Sequence, residues 1–181
     1  MSAAVASGTL LMLRPLLSDD VGEAYVAWLN DPETVRYTEA RHYVHTVESV
    51  RDFVAACHGR KDTHLLGIFE QADGLHVGNI KLGPVNMIHL CASVGLIIGE
   101  KTRWHLGYAT EAIALASRYA FQELKLHKLT AGIVRGNEAS LRAFRKNGFV
   151  EEGVRRKQNL FDGVWHDEII FGLLAEDRVH A

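Results

Sequence analysis

The sequence predicts a single α/β domain of the α+β kind, in which a central mixed, mostly antiparallel sheet is flanked by helices. Apolar residues recur at helical spacing in some segments and form short runs typical of strands in others. Asp-Gly pairs between neighbouring runs indicate hairpins, which join antiparallel strands. No Gly-, Ser- or Pro-rich linker divides the 181 residues, so we expect one domain over residues 9–174 with terminal tails at 1–8 and 175–181.

The first third of the chain is predicted to form a strand and two helices. Residues 9–13 are an apolar run that stops at Arg14-Pro15, as expected of an opening strand. Residues 18–20 offer N-cap side chains ahead of apolar positions at helical spacing, and this helix should end at residues 30–32. A second helix is predicted to begin at Thr46, because the apolar residues that follow it share one helical face.

The middle of the chain has the character of strands. Strands are predicted at residues 64–70, 75–82 and 88–98. Asp73-Gly74 separates the first two, and residues 84–86 separate the second from the third. These separators predict an antiparallel meander.

The remainder is predicted to alternate between helices and strands. In order, we expect a loop at 99–107, a helix at 109–124, a strand at 129–134, a helix at 137–147, and strands at 150–160 and 164–174. Gly148 should close the shorter helix, since Gly accepts the positive φ that a helix C-terminus often needs.

Composition and charge argue against several classes of partner. A formal net charge of -2 provides no positive field to attract nucleic acid or anionic lipid. The longest apolar stretch, residues 90–98, is much shorter than the ~20 residues of a membrane-spanning helix, and the N-terminus lacks the basic region of a secretory signal. Cys57 and Cys91 form no CxxC pair, and no His/Cys cluster has metal-ligand spacing. We therefore expect a cytoplasmic protein with no metal site, no membrane partner and no nucleic-acid partner.

The most informative segment covers residues 95–111 and reads GLIIGEKTRWHLGYATE. A predicted strand leads through a loop directly onto a helix N-terminus, where unpaired N–H groups and the helix dipole favour a phosphate or pyrophosphate. Gly107 would let the backbone approach such an anion closely. The segment has neither G-K-[ST] nor G-x-G-x-x-G, and a simple turn ahead of a helix stays equally open from this segment alone.

A second segment, residues 137–149, reads NEASLRAFRKNGF. The two segments together resemble the pyrophosphate loop and the N-x-x-S…G-F helix of the GCN5-related N-acetyltransferase (GNAT) superfamily. The opening LMLRPL at residues 11–16 resembles the branch that contains ribosomal-protein N-terminal acetyltransferases. The resemblance extends from residue 9 to residue 174, and it implies the acyl-CoA N-acyltransferase fold, with a splayed strand pair that admits the cofactor.

The resemblance implies an enzyme that binds acetyl-CoA and passes its acetyl group to an amine by direct attack on the thioester. By this resemblance, backbone groups of Ile97, Ile98 and Gly99 would lie along the pantetheine arm. Asn137 would bind the pantetheine amides, and Phe144 would lie near the thioester. The other residues of the cofactor site would be Trp104, Leu106, Gly107, Tyr108, Ala109, Thr110 and Ser140. A backbone N–H would stabilise the developing oxyanion.

The catalytic groups of this family are only partly matched. Many members have a Tyr as general acid where this chain has Phe144, and the branch implies Ser140 as the replacement. Loss of an acid is tolerable, because a thiol pKa near 8.5 makes thiolate an acceptable leaving group. At two positions where related sequences carry a Glu that could act as the general base, this chain has Ser93 and Asn159. The candidates left for the base are His89, His166, Asp167, Glu39 and Glu100.

The acceptor is expected to be a small-molecule primary amine. The segments WLNDPE-x-x-R, from Trp28 to Arg36, and GNIKLGP resemble acetyltransferases of amino-sugar biosynthesis, which makes an amino sugar a candidate. Arg36 and Arg41 would then bind an anionic group of the acceptor, with Trp28, His89 and Asp167 nearby. Ordinary surface charge is the alternative for the two arginines. A protein N-terminus or a polyamine as acceptor, a CoA-binding module without turnover, and assembly as a homodimer all stay open.

Overall fold

The computed structural model describes residues 2–161 and 163–178; Met1, Asp162 and residues 179–181 of the expected C-terminal tail lie outside the described residues. The strands are β1 (Ala6–Ser7), β2 (Leu11–Pro15), β3 (His64–Glu70), β4 (His76–Asn86), β5 (Cys91–Ile98), β6 (Lys128–Val134), β7 (Val150–Phe161) and β8 (Val164–Leu174). The α-helices are α1 (Glu23–Asn30), α2 (Val47–His58), α3 (Tyr108–Gln122) and α4 (Glu138–Lys146). This mixed arrangement confirms the predicted fold class.

The strands form one sheet, in the order β1-β2-β3-β4-β5-β6-β8-β7 over the described part of the chain. Neighbouring strands are antiparallel except β5 and β6, which are parallel and pair only from Cys91–Lys128 to Ser93–Thr130. Beyond Ser93 the two strands pair with their other neighbours and not with each other. The expected splayed strand pair is therefore present, and it opens toward the C-terminal end of β5.

Helices cover both faces of the sheet. Leu66 and Ile68 on β3 pack with α3 residues such as Ile113 in the larger core cluster. Leu65, next along the strand, points to the other face and packs with α1 and α2 residues such as Val54. Since alternate strand residues face opposite sides, the two clusters are cores on the two faces of one sheet.

The region between β4 and β5 differs from the prediction. The turn expected at residues 84–86 is wrong, because β4 continues to Asn86 through a bulge between Leu82 and Val85. A bulge accommodates Pro84, which has no N–H to donate to a ladder. The expected strand start at residue 88 is also wrong. Asn86 Oδ1 accepts the N–H groups of Ile88 and His89, which holds those residues in a turn.

The start of α1 also differs from the prediction. The expected capping residues Ser18–Asp20 form a short 3₁₀ turn, and α1 begins at Glu23. The Asp20 carboxylate caps this 3₁₀ turn and not α1: it accepts hydrogen bonds from the Leu17 N–H at 2.8 Å and from both terminal nitrogens of Arg14 at 2.7 Å. Ahead of β2, residues Ala6–Ser7 pair with it although they belong to the segment expected as a tail.

The predicted start of α2 at Thr46 and the predicted end of α4 at Gly148 are confirmed. Thr46 caps α2 by accepting the Ser49 N–H at 3.2 Å, and Asn137 caps α4 by accepting the Ser140 N–H at 3.3 Å. Gly148 follows α4 with φ +81°. None of the helices in the described residues is both long and apolar enough to cross a membrane.

Candidate active site

A cleft of about 1170 Å³ opens where β5 and β6 diverge. One wall is the splayed end of β5 with the start of α3, and the opposite wall is the end of β6 with α4. The cleft continues across the outer face of β4 and β5 to α1, α2 and the segment that joins them, residues 31–46. A single cavity therefore connects the α3 N-terminus with the face that α1 and α2 cover.

The α3 N-terminus presents free backbone donors. Gly107 is its N-cap, with φ +85°, and a side chain there would meet nothing within 4 Å. The first helical hydrogen bond runs from the Glu111 N–H to the Gly107 carbonyl at 3.0 Å. The preceding amides, of Tyr108 to Thr110, have no backbone acceptor among the described residues. An anion has open access to these donors.

Side-chain contacts hold the loop ahead of α3 in place. Trp104 Nε1 donates to the Ile98 carbonyl at 2.8 Å, which ties the loop to the end of β5. The Tyr108 hydroxyl donates to Glu70 at 2.9 Å, and Arg103 pairs with the same carboxylate. Burial and the hydrogen bond to Glu70 raise the pKa of Tyr108, so its hydroxyl stays protonated at neutral pH.

The segment that joins α1 to α2 is fixed across the cleft. The Tyr37 hydroxyl donates to the Gly136 carbonyl at 3.3 Å, and the Tyr37 ring packs on Phe161. Arg41 donates to the Leu160 carbonyl at 3.3 Å, and its guanidinium lies 3.8 Å from the centre of the Phe161 ring. This segment therefore bridges the two halves of the sheet on the face that α1 and α2 cover.

Comparison with known proteins identifies this architecture. A family model described as an acetyltransferase (GNAT) domain matches residues 11–150. The chain belongs to the GNAT acetyltransferase family. It is therefore an N-acetyltransferase, and the acetyl donor of this family is acetyl-CoA.

Relatives and solved structures agree with the GNAT assignment. Probable N-acetyltransferase YjcK of Bacillus subtilis is 34% identical over 137 residues, which cover 74% of this chain and 75% of the relative. Spermidine N(1)-acetyltransferase of Escherichia coli is 29% identical over 158 residues, 87% of this chain and 82% of the relative. A crystal structure of a GNAT-family acetyltransferase from Bacillus anthracis superposes with a TM-score of 0.81 at 26% identity, covering 94% of this chain and 98% of that one.

The structure brings together much of the GNAT cofactor set expected from the sequence. The expected residues that line the cleft are Ile97, Ile98, Trp104, Ala109, Asn137, Ser140 and Phe144. Just outside the cavity wall, along the loop and the first turn of α3, are Gly99, Leu106, Gly107, Tyr108 and Thr110. The Ser140 hydroxyl has no hydrogen-bond partner in the described part of the chain, and Phe144 is only 2% exposed.

The expected acceptor residues are more dispersed. Arg36 lines the cleft, whereas the Arg41 guanidinium is occupied by backbone carbonyls. Trp28 is 8% exposed and lies beneath Gly99, where a Cβ would overlap its ring. His89 lies in the β4–β5 turn, at the paired end of β5 and β6.

Asp167 lies beside the cleft without lining it. Its carboxylate accepts the Lys157 N–H at 3.0 Å and lies 3.4 Å from Arg135 Nε. These contacts occupy Asp167 within the chain.

Several cleft residues were not assigned from the sequence. Tyr25 lines the cleft, and burial, followed by the nearby Cys57 side chain, raises its pKa to about 12, so its hydroxyl stays protonated at neutral pH. His105 lines the cleft with φ +63°, in the left-handed region that side chains rarely adopt. Asn79 and Lys81 lie in the GNIKLGP segment, whose alternation predicts that they share a strand face.

Proposed function

We propose that this GNAT enzyme acetylates a primary amine of a small molecule, with amino sugars as the leading class. The observation that carries the proposal is the single cavity that joins the α3 N-terminus to the face covered by α1 and α2. A donor bound at one end and an amine bound at the other would meet at the splayed strands, which is the proximity that direct transfer requires.

The donor end fits the pyrophosphate and pantetheine of acetyl-CoA. Gly107 supplies a left-handed residue with open space, and the free amides of Tyr108 to Thr110 would bind the pyrophosphate. Asn137 uses Oδ1 as the α4 cap, which leaves its Nδ2 to bind a pantetheine carbonyl. Bound acetyl-CoA supplies a thioester that is activated toward attack by an amine.

The acceptor end does not have the charge that a polycation would require. Of its acidic lining residues, Glu33 pairs with Lys101 at 2.6 Å, a lysine that also pairs with Asp31, and Glu39 lies 3.9 Å from His42. Arg36 and Lys81 line the same cavity. This balance supports a neutral or anionic amine rather than a polyamine, although a relative is named for spermidine.

Proton transfer falls to a small set of side chains. Ser140, with a free hydroxyl in the cleft of the described chain, is proposed as the donor to the departing thiolate, since Phe144 has no proton to give. Glu39 and His105 line the cleft and are proposed as acceptors of the amine proton, directly or through a water. Glu100 is less suited, because its carboxylate accepts from both the N–H and the hydroxyl of Thr102.

The proposed function is tested by calorimetric titration with acetyl-CoA and by thiol release over a panel of amines. We expect binding, and turnover that is faster with amino sugars than with spermidine or with an alanine-terminated peptide. Binding of acetyl-CoA without turnover of any amine would instead support a CoA-binding module.

The free thiols of Cys57 and Cys91 support the expected cytoplasmic location.

Replacing Ser140 with Ala should lower kcat by about 10²-fold, the lower end of the range for loss of a general acid. The acetyl-CoA dissociation constant should stay within about threefold, because the Ser140 side chain makes no hydrogen bond to the rest of the described chain. Steady-state kinetics and calorimetry measure the two quantities. Ser140→Thr, which keeps a hydroxyl, is the control and should retain most of the activity. Unchanged kcat in Ser140→Ala would remove Ser140 from the mechanism.

A further inference from the structure

The floor of the acceptor end is formed by neighbouring residues of β4 and β5. Asn79 and Lys81 are two residues apart on β4, so their side chains share a face of the sheet. Lys81 pairs directly with Gly95 on β5, and a Cβ added at Gly95 would meet no atom of the described residues within 4 Å. The strands therefore leave open space beside the Lys81 side chain.

Asn79 contributes a buried donor that has no partner. The residue is 4% exposed, and its Oδ1 accepts a hydrogen bond from His76 Nε2 at 3.0 Å. That bond orients the amide, because Oδ1 can only accept. Its Nδ2 has no partner in the described part of the chain. A buried unpaired donor is destabilising, so such groups in native proteins call for an acceptor such as a ligand oxygen.

Lys81 contributes a positive charge that no carboxylate neutralises. Within residues 2–161 and 163–178 Lys81 forms no ion pair. Lys101, by contrast, pairs with both Asp31 and Glu33. The nearby Cys57 thiol is kept protonated by burial, which raises its pKa. The floor thus combines an unpaired donor and an unpaired cation.

Lys81 also lies where two cavities meet. A second cavity of about 370 Å³ lies on the other side of Phe53, and Phe53 and Lys81 line both cavities. In that second cavity Arg60 is paired with Asp62, so Lys81 is the one unpaired charge among its described lining residues.

We propose that Lys81 and Asn79 bind an anionic oxygen group, a phosphate or a carboxylate, on the acceptor amine, and that Lys81 sets the preference for anionic acceptors. This inference rests on the proposed function, and it specifies the acceptor class at the same site. The Lys81 ammonium attracts the anion, the Asn79 amide donates to one of its oxygens, and the space over Gly95 receives it. Both residues act on binding, and neither takes part in proton transfer.

The test compares matched amines with matched variants. Glucosamine, glucosamine 6-phosphate and 2-amino-2-deoxyglucuronic acid present the same amine on the same ring with a neutral group, a phosphate and a carboxylate at position 6, and spermidine serves as the polycation. The variants are Lys81→Met and Lys81→Glu. Lys61→Met is the control for net charge, because Lys61 is exposed and lines neither cavity. The measurements are kcat/KM at saturating acetyl-CoA, and calorimetric binding of each amine to the CoA complex.

We expect the parent and Lys61→Met to prefer an anionic amine over glucosamine by at least about tenfold, equivalent to about 1.4 kcal/mol. Lys81→Met should reduce this preference to within about threefold, mainly through KM, and Lys81→Glu should reverse it toward spermidine. The phosphate and carboxylate arms identify which anion fits. Equal use of neutral and anionic amines by the parent, or an unchanged preference in Lys81→Met, would overturn the inference.

The binding measurement separates this inference from the proposed function. If acetyl-CoA binds and no amine is turned over, the proposed function fails. The inference is then decided by calorimetry alone. Anion-dependent binding that Lys81→Met abolishes supports it, and absent or unchanged binding contradicts it.

Discussion

Replacing Gly107 with Glu is expected to weaken acetyl-CoA binding by at least about 100-fold. The substitution places a carboxylate beside the free amides at the α3 N-terminus, where the pyrophosphate is proposed to bind. Two like charges about 4 Å apart near a protein surface repel by about 4 kcal/mol, which exceeds the ~2.7 kcal/mol of a 100-fold loss. Calorimetric titration with acetyl-CoA measures the change.

The chain offers a matched control for this experiment. Gly74, in the β3–β4 turn, has φ +73°, and a Cβ added there would meet nothing within 4 Å, as at Gly107. Gly74→Glu therefore introduces the same charge and similar backbone strain away from the cleft, and it should leave the dissociation constant unchanged. Gly107→Ala separates strain from charge and should have the smaller effect. Equal binding by Gly107→Glu and the parent would exclude the α3 N-terminus as the pyrophosphate site.

Replacing Asp20 with Ala should lower the free energy of unfolding by about 3–5 kcal/mol, the usual result of breaking a buried ion pair. Both terminal nitrogens of Arg14 lie 2.7 Å from the Asp20 carboxylate, and the side chains are only 9% and 16% exposed. The Arg14 guanidinium also lies 3.7 Å from the centre of the Phe69 ring. Without Asp20, this charge would remain buried and uncompensated. Denaturant unfolding monitored by circular dichroism gives the value.

An exposed pair of similar geometry provides the comparison for Asp20. Arg60 donates to both carboxylate oxygens of Asp62 at 2.9 Å, but the two side chains are 59% and 41% exposed. Asp62→Ala should therefore lower the free energy of unfolding far less than Asp20→Ala does, because solvent screens an exposed pair. If both substitutions lowered stability equally, burial would not be what makes the Arg14–Asp20 pair important.

The same carboxylate predicts a pH dependence. Burial raises the pKa of Asp20, but the hydrogen bonds from Arg14 and the Leu17 N–H outweigh burial and hold it below its usual value of 3.8. A lowered folded-state pKa stabilises the fold fully above the unfolded-state value, and this contribution is lost as pH falls through the folded-state value. The melting temperature of the parent should therefore approach that of Asp20→Asn below about pH 4. A constant difference between the two down to pH 2 would contradict this linkage.

The parts of the site that depend on local sequence could be predicted. Gly107 was predicted from a turn ahead of a helix and Asn137 from the resemblance of residues 137–149 to a family motif, and both signals involve residues within a few positions of each other. Contacts between distant segments could not be predicted. Nothing near Trp28 indicates that it packs under Gly99, and nothing near Arg41 indicates that the Leu160 carbonyl accepts from it.

Short apolar and polar patterns also predicted some strand boundaries incorrectly. Pro84 predicted a turn, whereas the pairing of Val85 with Ala92 extends β4 beyond it. The sequence shows that Asn79 and Lys81 alternate along one strand. That the Asn79 Nδ2 and the Lys81 ammonium lack partners in the described chain could be recognised only from the structure, which places Gly95 and Phe53 beside them. Whether a polar side chain has a hydrogen-bond partner depends on the residues that surround it in the fold, and these cannot be identified from the sequence alone.

The short parallel contact between β5 and β6 has a mechanical consequence. The two halves of the described sheet share ladder pairs only from Cys91–Lys128 to Ser93–Thr130, so three residue pairs are all the strand pairing that joins one half to the other. A molecule that lies between the diverging strands would supply bridging contacts there. Occupancy would then stiffen the whole domain, since relative movement of the two halves becomes coupled to ligand release.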